Sequence, residues 1–349
     1  MRANLIFLVC ISHAAAECCL GRTEPGGDTY VFNSTAQLAN LPADCYSGCL
    51  YHKRGDTSGE LFCFGEGNVT TECSGEGQLE TVLLFSDPDG AQSYPCDFSY
   101  DGGVFSYLNS AGAAYLNGKV YSCTSKWCYA NTGRNGRWEQ IASFPFYIGN
   151  YAMSSVGSYI FVTYKNSIMR YEGNSWSNLD KNLTTYRIRH CSVTVSDTEL
   201  ILIGGNFNKN VITTSVEKYD VDGNLVETLP SLENYRERIG CALFEDSIYV
   251  AGGTVLYANS YDSSESYWDA TTDVFAYSLT NKEWRPINKL NWVRSGLTMV
   301  VLNGKLTVFG GRQDERTTIE EYDGEEWTLL DAALPKQFLN GASVVVPCP

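Results

Sequence analysis

A short pattern recurs along this chain of 349 residues and constrains its fold more than any other feature. In its clearest copy, a β-branched strand ends in Gly310-Gly311, and Tyr322 and Trp327 follow. The copies place tyrosines at positions 129, 171, 219, 277 and 322, which are spaced by 42, 48, 58 and 45 residues. Self-similarity at this period indicates stacked units, each too small to bury a core alone.

The pattern combines two adjacent glycines with one tyrosine and one tryptophan on the following strands. Glycines at a strand end allow backbone angles and close approaches that a side chain would block. Large aromatic rings can fill the wedge between twisted neighbouring sheets. We therefore predict a packing role for Gly204, Gly205, Tyr219, Gly252, Gly253, Tyr277, Trp284, Gly310, Gly311, Tyr322, Trp327, Tyr171, Trp176 and Trp138. In the two upstream copies, the predicted glycine positions hold Thr163-Tyr164 and Ser122-Cys123.

Each copy contains sequence for about four short strands. In one copy ALFEDSIYVAGG supplies two strands, DVFAYSL a third and EWRPI a fourth. Four-stranded sheets repeated at this period make a β-propeller. The sequence therefore predicts an all-β propeller, which we place at residues 77–349.

The order of double glycine, tyrosine and tryptophan resembles the kelch repeat. The spacing from Tyr277 to Trp284 matches the spacing of that repeat fully. The resemblance is strongest in 191–236, 241–290 and 297–340, and weaker in 147–188 and 112–145. It implies six or seven blades, with both chain ends in one blade. Five copies are visible, so we predict six blades. LETVLLFSD and YPCDFSY would form the closing blade with Val344–Val346 as its closing strand.

The amino-terminal residues are similar to a secretory signal peptide. Arg2 precedes a short apolar run, Leu5 to Ile11, and Ala14–Ala16 fits a small-residue cleavage site. We expect residues 1–16 to be removed and the protein to be secreted without membrane insertion, because the run is too short to span a bilayer. Three sequons predict glycosylation at Asn33, Asn68 and Asn182.

The charge balance narrows the class of partner. Removal of the leader would leave 24 basic and 40 acidic residues, a net charge of −16. A balance this acidic argues against nucleic acid and anionic membrane surfaces.

The 13 cysteines indicate a disulfide-rich protein from an oxidising compartment. Residues 17–76 hold six of them and lack the repeat, so we predict a small cysteine-rich module there. The candidate pairs are Cys45 with Cys73, Cys49 with Cys63, Cys123 with Cys128, Cys191 with Cys241, and Cys96 with Cys348. We place Cys191 and Cys241 at equivalent positions of neighbouring inner strands, where buried thiols are the alternative.

Within this module GCLYHKRGDTSGELFCFG predicts a hairpin in which Cys49 lies opposite Cys63. Its tip would present Arg54, Gly55 and Asp56, which resemble the integrin-recognition sequence. A loop braced by a disulfide loses little entropy on binding, so cell adhesion is one hypothesis. The other hypothesis is a polar turn with solvated charges.

Two further groups are candidate contact residues. The oversized segment TVLYANSYDSSESYWDATTD carries Tyr257, Tyr261, Tyr267 and Trp268, whose rings could bind a partner or fold back over the blade edge. The links between repeats carry Arg187, Arg189, Arg236, Arg238 and Arg294. These could form a basic ring at the channel mouth. Alternatively, each could bond loop carbonyls, the interpretation that we favour.

An enzyme is the alternative to a binding protein, because galactose oxidase is built on a kelch-like propeller. Its copper site needs two histidines, two tyrosines and a cysteine, whereas the chain without its leader has only His52 and His190. The sequence shows no nucleophile elbow, calcium loop, P-loop or dinucleotide motif. We therefore predict no catalytic, metal-binding or cofactor-binding residue. We expect a secreted scaffold for extracellular proteins, with adhesion through Arg54–Asp56 as the alternative.

Overall fold

In the computed structural model the chain divides into two units, Met1–Leu79 and Glu80–Pro349. The structure describes residues 7–12, 29–32, 47–52, 59–64, 79–86, 90–96, 112–131, 138–208, 211–257, 267–311 and 316–348. Every regular element in these ranges is a strand, which confirms the all-β prediction. The same ranges contain no helix long and apolar enough to cross a membrane.

The first unit contains one antiparallel sheet in the order β1-β3-β4-β2. Its strands are β1 (Phe7–Ser12), β2 (Thr29–Phe32), β3 (Ser47–His52) and β4 (Gly59–Phe64). β1 lies inside the segment predicted to be a leader. Arg54, Gly55, Asp56, Cys45, Cys73, Asn33 and Asn68 lie outside the described residues.

β3 and β4 form the predicted hairpin, but in a different register. Cys49 lies opposite Phe62 and Gly48 opposite Cys63, so the prediction that Cys49 faces Cys63 was wrong. His52 pairs with Gly59, which leaves a loop of even length and moves the whole ladder by one residue. In this register the apolar pair is Leu50 with Leu61. The observed register therefore places Cys49 and Cys63 one position out of direct opposition.

The second unit is a series of antiparallel sheets that we call blades. It begins with β5 (Glu80–Ser86) and β6 (Gly90–Tyr94). Blade 1 contains β7 (Gly112–Leu116), β8 (Lys119–Cys123), β9 (Cys128–Asn131) and β10 (Trp138–Gln140). Blade 2 contains β11 (Ala152–Val156), β12 (Tyr159–Tyr171) and β13 (Trp176–Arg187).

Blade 3 contains β14 (Cys191–Ser196) and β15 (Glu199–Ile203), then the small hairpin β16 (Asn206–Asn208) and β17 (Val211–Ile212), then β18 (Val216–Asp220) and β19 (Leu225–Leu229). Before blade 4 the link forms β20 (Arg236–Glu237). Blade 4 contains β21 (Gly240–Phe244), β22 (Ser247–Ala251), β25 (Val274–Ser278) and β26 (Glu283–Ile287). Between its second and third strands lie β23 (Thr254–Tyr257) and β24 (Tyr267–Ala270). Blade 5 contains β27 (Thr298–Leu302), β28 (Lys305–Phe309), β29 (Thr318–Tyr322) and β30 (Trp327–Ala333), and β31 (Ala342–Pro347) follows.

β31 closes the unit by pairing with β5 in the sheet β31-β5-β6, with Val344 opposite Leu83. The innermost strands β7, β11, β14, β21, β27 and β31 contact one another in a closed cycle, in which β31 contacts both β27 and β7. Val344–Val346 therefore lie in the closing strand as predicted. The next strand that pairs with β5 is β6, so the predicted segment YPCDFSY shares only Tyr94 with it, and residues 97–100 lie outside the described residues. Six blades occur among the described residues, and the blade count of the whole chain stays a prediction.

The motif aromatics pack on each other and on the preceding blade. Tyr277 lies opposite Trp284 and Tyr322 opposite Trp327, and in each pair the ring centroids are 5.1 Å apart. The cluster that holds Tyr277 also contains Ile201 of blade 3. In blade 1, Trp138 packs edge-on against Phe85 of the closing blade. These rings therefore fill the wedge between neighbouring sheets.

The two upstream copies align later than predicted, by one residue in blade 2 and by two residues in blade 1. In blade 2 Val156 lies opposite Tyr159, as Ser196 lies opposite Glu199 in blade 3. Counted from these hairpin turns, the equivalents of Gly204-Gly205 are Tyr164-Lys165 in blade 2 and Thr124-Ser125 in blade 1. Thr163-Tyr164 and Ser122-Cys123 were wrong, because the loops before the tyrosines differ in length between blades. Lys165 keeps a left-handed backbone, with φ of 60°.

Candidate functional site

The inner strands surround a central channel of about 510 Å³. Small and hydroxyl side chains dominate its wall because six strands converge there. Hydroxyl pairs join neighbouring inner strands: the Oγ atoms of Ser154 and Ser192 are 2.5 Å apart, and Thr298 Oγ1 is 2.5 Å from Ser343 Oγ. The channel therefore has a polar wall built from side chains of every blade.

Three of the link arginines, Arg187, Arg236 and Arg294, are buried clamps. Each donates from Nη1 to the carbonyl of the first motif glycine in the blade that follows it, Gly204, Gly252 or Gly310, at 3.0, 2.9 and 2.5 Å. The sequence favoured bonds to loop carbonyls over a basic ring, and the structure shows those bonds for these three arginines. Their buried guanidinium groups are not at the surface to attract a ligand.

The backbone carbonyl of the clamp residue binds the preceding blade. Gly205 N–H donates to Arg236 O at 2.9 Å, and Gly253 N–H donates to Arg294 O at 2.8 Å. A Cβ atom on Gly252 would lie 2.6 Å from Arg294 O, and its φ is 58°. Only glycine combines this approach with a left-handed backbone. One arginine therefore ties two blades, and the glycine pair makes room for it.

Buried carboxylates neutralise two of the clamps. Arg187 Nη2 lies 3.0 Å from Glu217 Oε2, and Arg294 Nη2 lies 2.9 Å from Glu320 Oε1. Burial alone would raise the pKa of Glu217, but Arg187 and hydrogen bonds from Thr185, Tyr219 and Thr184 outweigh it and lower the pKa below 4.5. Arg236 is paired more loosely, with Asp273 at 3.8 Å.

A chain of backbone hydrogen bonds runs around the channel mouth, two residues before the inner strands. Each of five residues, which we call the mouth ring, has a left-handed backbone, and each of the last four donates its N–H to the carbonyl of the preceding member at 2.8 to 3.0 Å. The members are Asn150, Arg189, Arg238, Gly296 and Asn340. The side chains of Arg189 and Arg238 stay partly exposed and flank Glu237, at 3.3 and 3.7 Å. Of the five link arginines, only these two reach the channel mouth.

His190 lies in the channel wall between blades 2 and 3, where its ring is within 2.7 Å of Thr163 Oγ1. Burial and then Arg187 lower the pKa of His190 well below 6.5, so the ring is neutral. Counted from the hairpin turns, the next blades place Ile239 and Leu297 at this position. Among the described side chains, no cluster of three or more His, Cys, Asp or Glu could hold a metal ion.

The loops at the channel-mouth face form a repeated arch. Each arch has two buried anchors around three residues, and the first anchor donates its N–H to a loop carbonyl of the blade that it leaves, at 2.8 to 3.0 Å. The anchor pairs are Phe144 and Ile148, Leu232 and Arg236, Leu290 and Arg294, and Leu334 and Phe338. The residues between the anchors are thereby held outward.

Exposed aromatic side chains are concentrated on this face. Four of these side chains lie in three of the arches, and two others lie in the segments between the second and third strands of a blade. The residues are Phe146, Tyr147, Tyr235, Trp292, Trp127 and Tyr267. The other large apolar residues that are strongly exposed in the described chain are aliphatic: Leu79, Leu225, Val226 and Leu329. Aromatic rings at an exposed face are the residues that most often carry protein-binding energy.

The oversized segment of blade 4 stands on the same face. Its ends form β23 and β24, which make a separate sheet with β20 of the link in the order β20-β23-β24. Tyr267 is 58% exposed and Trp268 is partly buried. Tyr261 and the side chain of Tyr257 lie outside the described residues. On this face, Tyr267 is therefore available for contact.

Three candidate cysteine pairs form disulfides in the structure: Cys96–Cys348, Cys123–Cys128 and Cys191–Cys241. The prediction that Cys191 and Cys241 occupy equivalent positions was wrong. Cys191 lies opposite Ile203, and the equivalent residue of blade 4 is Gly240, which lies opposite Ala251. The inner strands share no backbone ladder in the described sheets, so side chains set their offset. The sequon residue Asn182 is exposed on β13.

The sequence was compared with known protein families. The kelch motif matches residues 187–233, which begin at the Arg187 clamp and include all of blade 3. The chain folds as a kelch-type β-propeller. Kelch-like protein 36 of Rattus norvegicus is 22% identical over 240 residues, and Kelch-like protein 23 of Homo sapiens is 28% identical over 231. These alignments cover 62% and 60% of this chain, but only 37% and 38% of the relatives.

The chain is also similar to two other proteins. Alpha-scruin of Limulus polyphemus is 30% identical over 124 residues, which are 33% of this chain and 12% of that protein. The solved structure of YjhT has a TM-score of 0.55 at 13% identity, covering 90% of this chain and 99% of that one. At this identity the likeness concerns the fold alone. This kelch propeller thus spans only a minor part of the curated relatives that it matches.

Three features of the propeller were not predicted from the sequence: the arches, the mouth ring, and the contact of His190 with Thr163 between blades 2 and 3, which we call the His190 seam. A usable signal for the arches was present, because an exposed aromatic precedes the clamp arginine by one or two residues in YRE and WVR. The His190 seam follows from the alignment of inner hairpins, which only the register supplies.

Proposed function

We propose that this kelch propeller is a secreted scaffold that binds a partner protein through its channel-mouth face. The observation that carries the proposal is the concentration of exposed aromatic residues on that face. Kelch domains generally bind protein partners, and the arches hold their rings between buried anchors. Pre-set side chains lose less entropy on binding than flexible ones.

The test compares variants of the face with one variant of the outer edge. Tyr147→Ser, Tyr235→Ser and Trp292→Ser remove rings from three arches, whereas Leu329→Ser removes an apolar side chain from outer strand β30 that is about as exposed as Tyr235 and Trp292. Each purified protein is used to capture partners from extracellular material, and captured proteins are quantified by mass spectrometry. We expect the face variants to lose a reproducible partner and Leu329→Ser to retain it. Equal retention by all variants would contradict the proposal.

Secretion has its own experiment. The chain is expressed in animal cells with and without residues 2–16, and the medium is assayed for protein and glycan. The proposal predicts release of the full chain into the medium, cleaved after Ala16 and carrying a glycan at exposed Asn182. Retention of both forms inside the cell would contradict extracellular function.

A further inference from the structure

The Cys191–Cys241 disulfide differs from the other described disulfides in its surroundings. Both cysteines line the central channel, and both are partly exposed. Cys123 and Cys128, in contrast, are completely buried within blade 1. Cys96 and Cys348 lie in the closing blade and are not part of the channel wall. The Cys191–Cys241 disulfide therefore has a cavity in front of it.

The channel is of a size that admits a small molecule to this bond. Its volume of about 510 Å³ lies within the range of roughly 300–1,000 Å³ that is common for small-molecule sites. Gly240 adds no side chain beside Cys241, and Cys241 Sγ lies 4.0 Å from Ser192 O. A protein-sized reagent would have to pass the arches and the mouth ring first.

The charges beside the disulfide favour an anionic reagent. Arg189 and Arg238 lie two and three residues before the cysteines, with Glu237 between them. The side chains thus give two positive charges against one negative charge. Positive charge stabilises a thiolate, both as the attacking group and as the leaving group.

We propose that Cys191–Cys241 is a thiol-exchange site for a low-molecular-weight thiol that carries carboxylates. The thiolate of the small molecule attacks one cystine sulfur, a mixed disulfide forms, and the Cys191–Cys241 bond breaks. The bonding electron pair leaves with the other cysteine as a thiolate. A second small thiol then attacks the mixed disulfide, releases the oxidised small molecule and leaves both cysteines reduced. Two small thiols thus supply two electrons and two protons.

Exchange at this site would leave the blades in place. Blades 3 and 4 remain joined by the bond from Gly205 N–H to Arg236 O and by the bond from Arg238 N–H to Arg189 O, at 2.9 and 3.0 Å. Reduction therefore removes one covalent tie without unfolding the propeller. Because the proposal concerns the channel and not the face, its outcome is independent of the partner-binding experiment.

The experiment uses the oxidised, folded full chain. Glutathione is added, free thiols are alkylated over time, and each cysteine is quantified by peptide mass spectrometry while circular dichroism reports folding. We expect Cys191 and Cys241 to become alkylated at least about tenfold faster than Cys123 and Cys128, with no loss of strand signal. The variant Cys191→Ala/Cys241→Ala must lose the fast phase, and a protein-sized dithiol reductant must react slowly at this pair.

Three results would overturn the proposal. In the first, Cys191 and Cys241 are free thiols in the oxidised protein. In the second, they are reduced only when the strand signal is lost. In the third, the protein-sized reductant reacts as fast as glutathione, which would place the bond outside the protection of the channel.

Discussion

Single residues in this propeller act on two blades at once, and the buried arginines show it most clearly. Arg294 bonds the Gly310 carbonyl with its side chain and accepts from Gly253 N–H with its backbone. Glu320 is completely buried beside it and also accepts from Asn291 in the arch. The arch, the clamp and the glycine pair therefore share one hydrogen-bond network, and its energy is not divisible among the three.

Removing Arg294 should cost more than removing Arg236. Arg294→Ala leaves Glu320 as a buried unpaired carboxylate, which costs about 3–5 kcal/mol. Arg236→Ala leaves Asp273, which is 28% exposed and keeps water and Lys289 as partners. Urea unfolding of both variants measures the difference. Equal losses would show that the carbonyl bonds, which both arginines make, carry the stability.

His190 should make the propeller sensitive to mild acid. Its pKa is lowered in the folded state, so its contribution is complete above pH 6.5 and is lost as the pH falls below that value. His190→Ile with Thr163→Val copies the apolar contact between Ile239 and Ile203 in the next interface. The melting temperature of the natural protein should fall between about pH 7 and about pH 5, and that of the variant should fall less.

Glu217 and His190 lose their contributions to stability in different pH ranges. Its pKa is lowered below 4.5, so its stabilisation is lost only under more acidic conditions. A Glu217→Gln variant should therefore keep the fall in stability between about pH 7 and about pH 5. A loss of that fall in Glu217→Gln would assign the transition to the clamp rather than to His190.

At the scale of the elements, the glycine pair at the end of the second strand of a blade leaves little room for a side chain. Gly252 and Gly118 both have positive φ, at 58° and 77°, but only Gly252 faces a neighbouring carbonyl within contact distance. Gly118→Ala should cost about 1 kcal/mol from backbone strain alone. Gly252→Ala should cost at least about 2 kcal/mol more, because Arg294 O must move. Thermal unfolding of the two variants tests this, and equal costs would exclude the close approach as a factor.

The strands were predictable from sequence where each blade repeats the same local chemistry. ALFEDSIYVAGG gave both of its strands, because a two-residue turn separates two alternating apolar runs. The alignment of blades 1 and 2 was not predictable, because it depends on where the inner hairpin turns and not on the distance to the tyrosine. The same limit applies to the Cys49 register, which differs from the predicted register by one residue.

The candidate site was predictable only in part. Tyr267 was identified from an unusually long loop, whereas Tyr147, Tyr235 and Trp292 looked like ordinary link residues. Their exposure arises from the arches, whose anchors hold the backbone over a neighbouring loop. Such contacts join segments that are distant in sequence, and no local pattern of residues encodes them.

For the whole molecule, closure of the ring should contribute a large share of the stability. Cys96 and Cys348 are 252 residues apart in sequence, whereas Cys123 and Cys128 are 5 apart. In the loop-entropy description, a crosslink that closes a longer loop stabilises more, typically by about 2–4 kcal/mol. Cys96→Ala/Cys348→Ala should therefore lower the free energy of unfolding by more than Cys123→Ala/Cys128→Ala. The reverse order, measured by urea unfolding, would show that packing around the buried pair outweighs ring closure.

The position of β31 also bears on how this protein is made. β5 leaves the ribosome before every blade that follows it, yet its partner β31 is synthesised after all the other described strands. Until then Val82, Leu83, Leu84 and Phe85, which are completely buried in the finished ring, have no inner strand beside them. A translating chain therefore carries an open apolar edge through almost the whole of its synthesis, and it needs protection from neighbouring nascent chains until its last strand arrives.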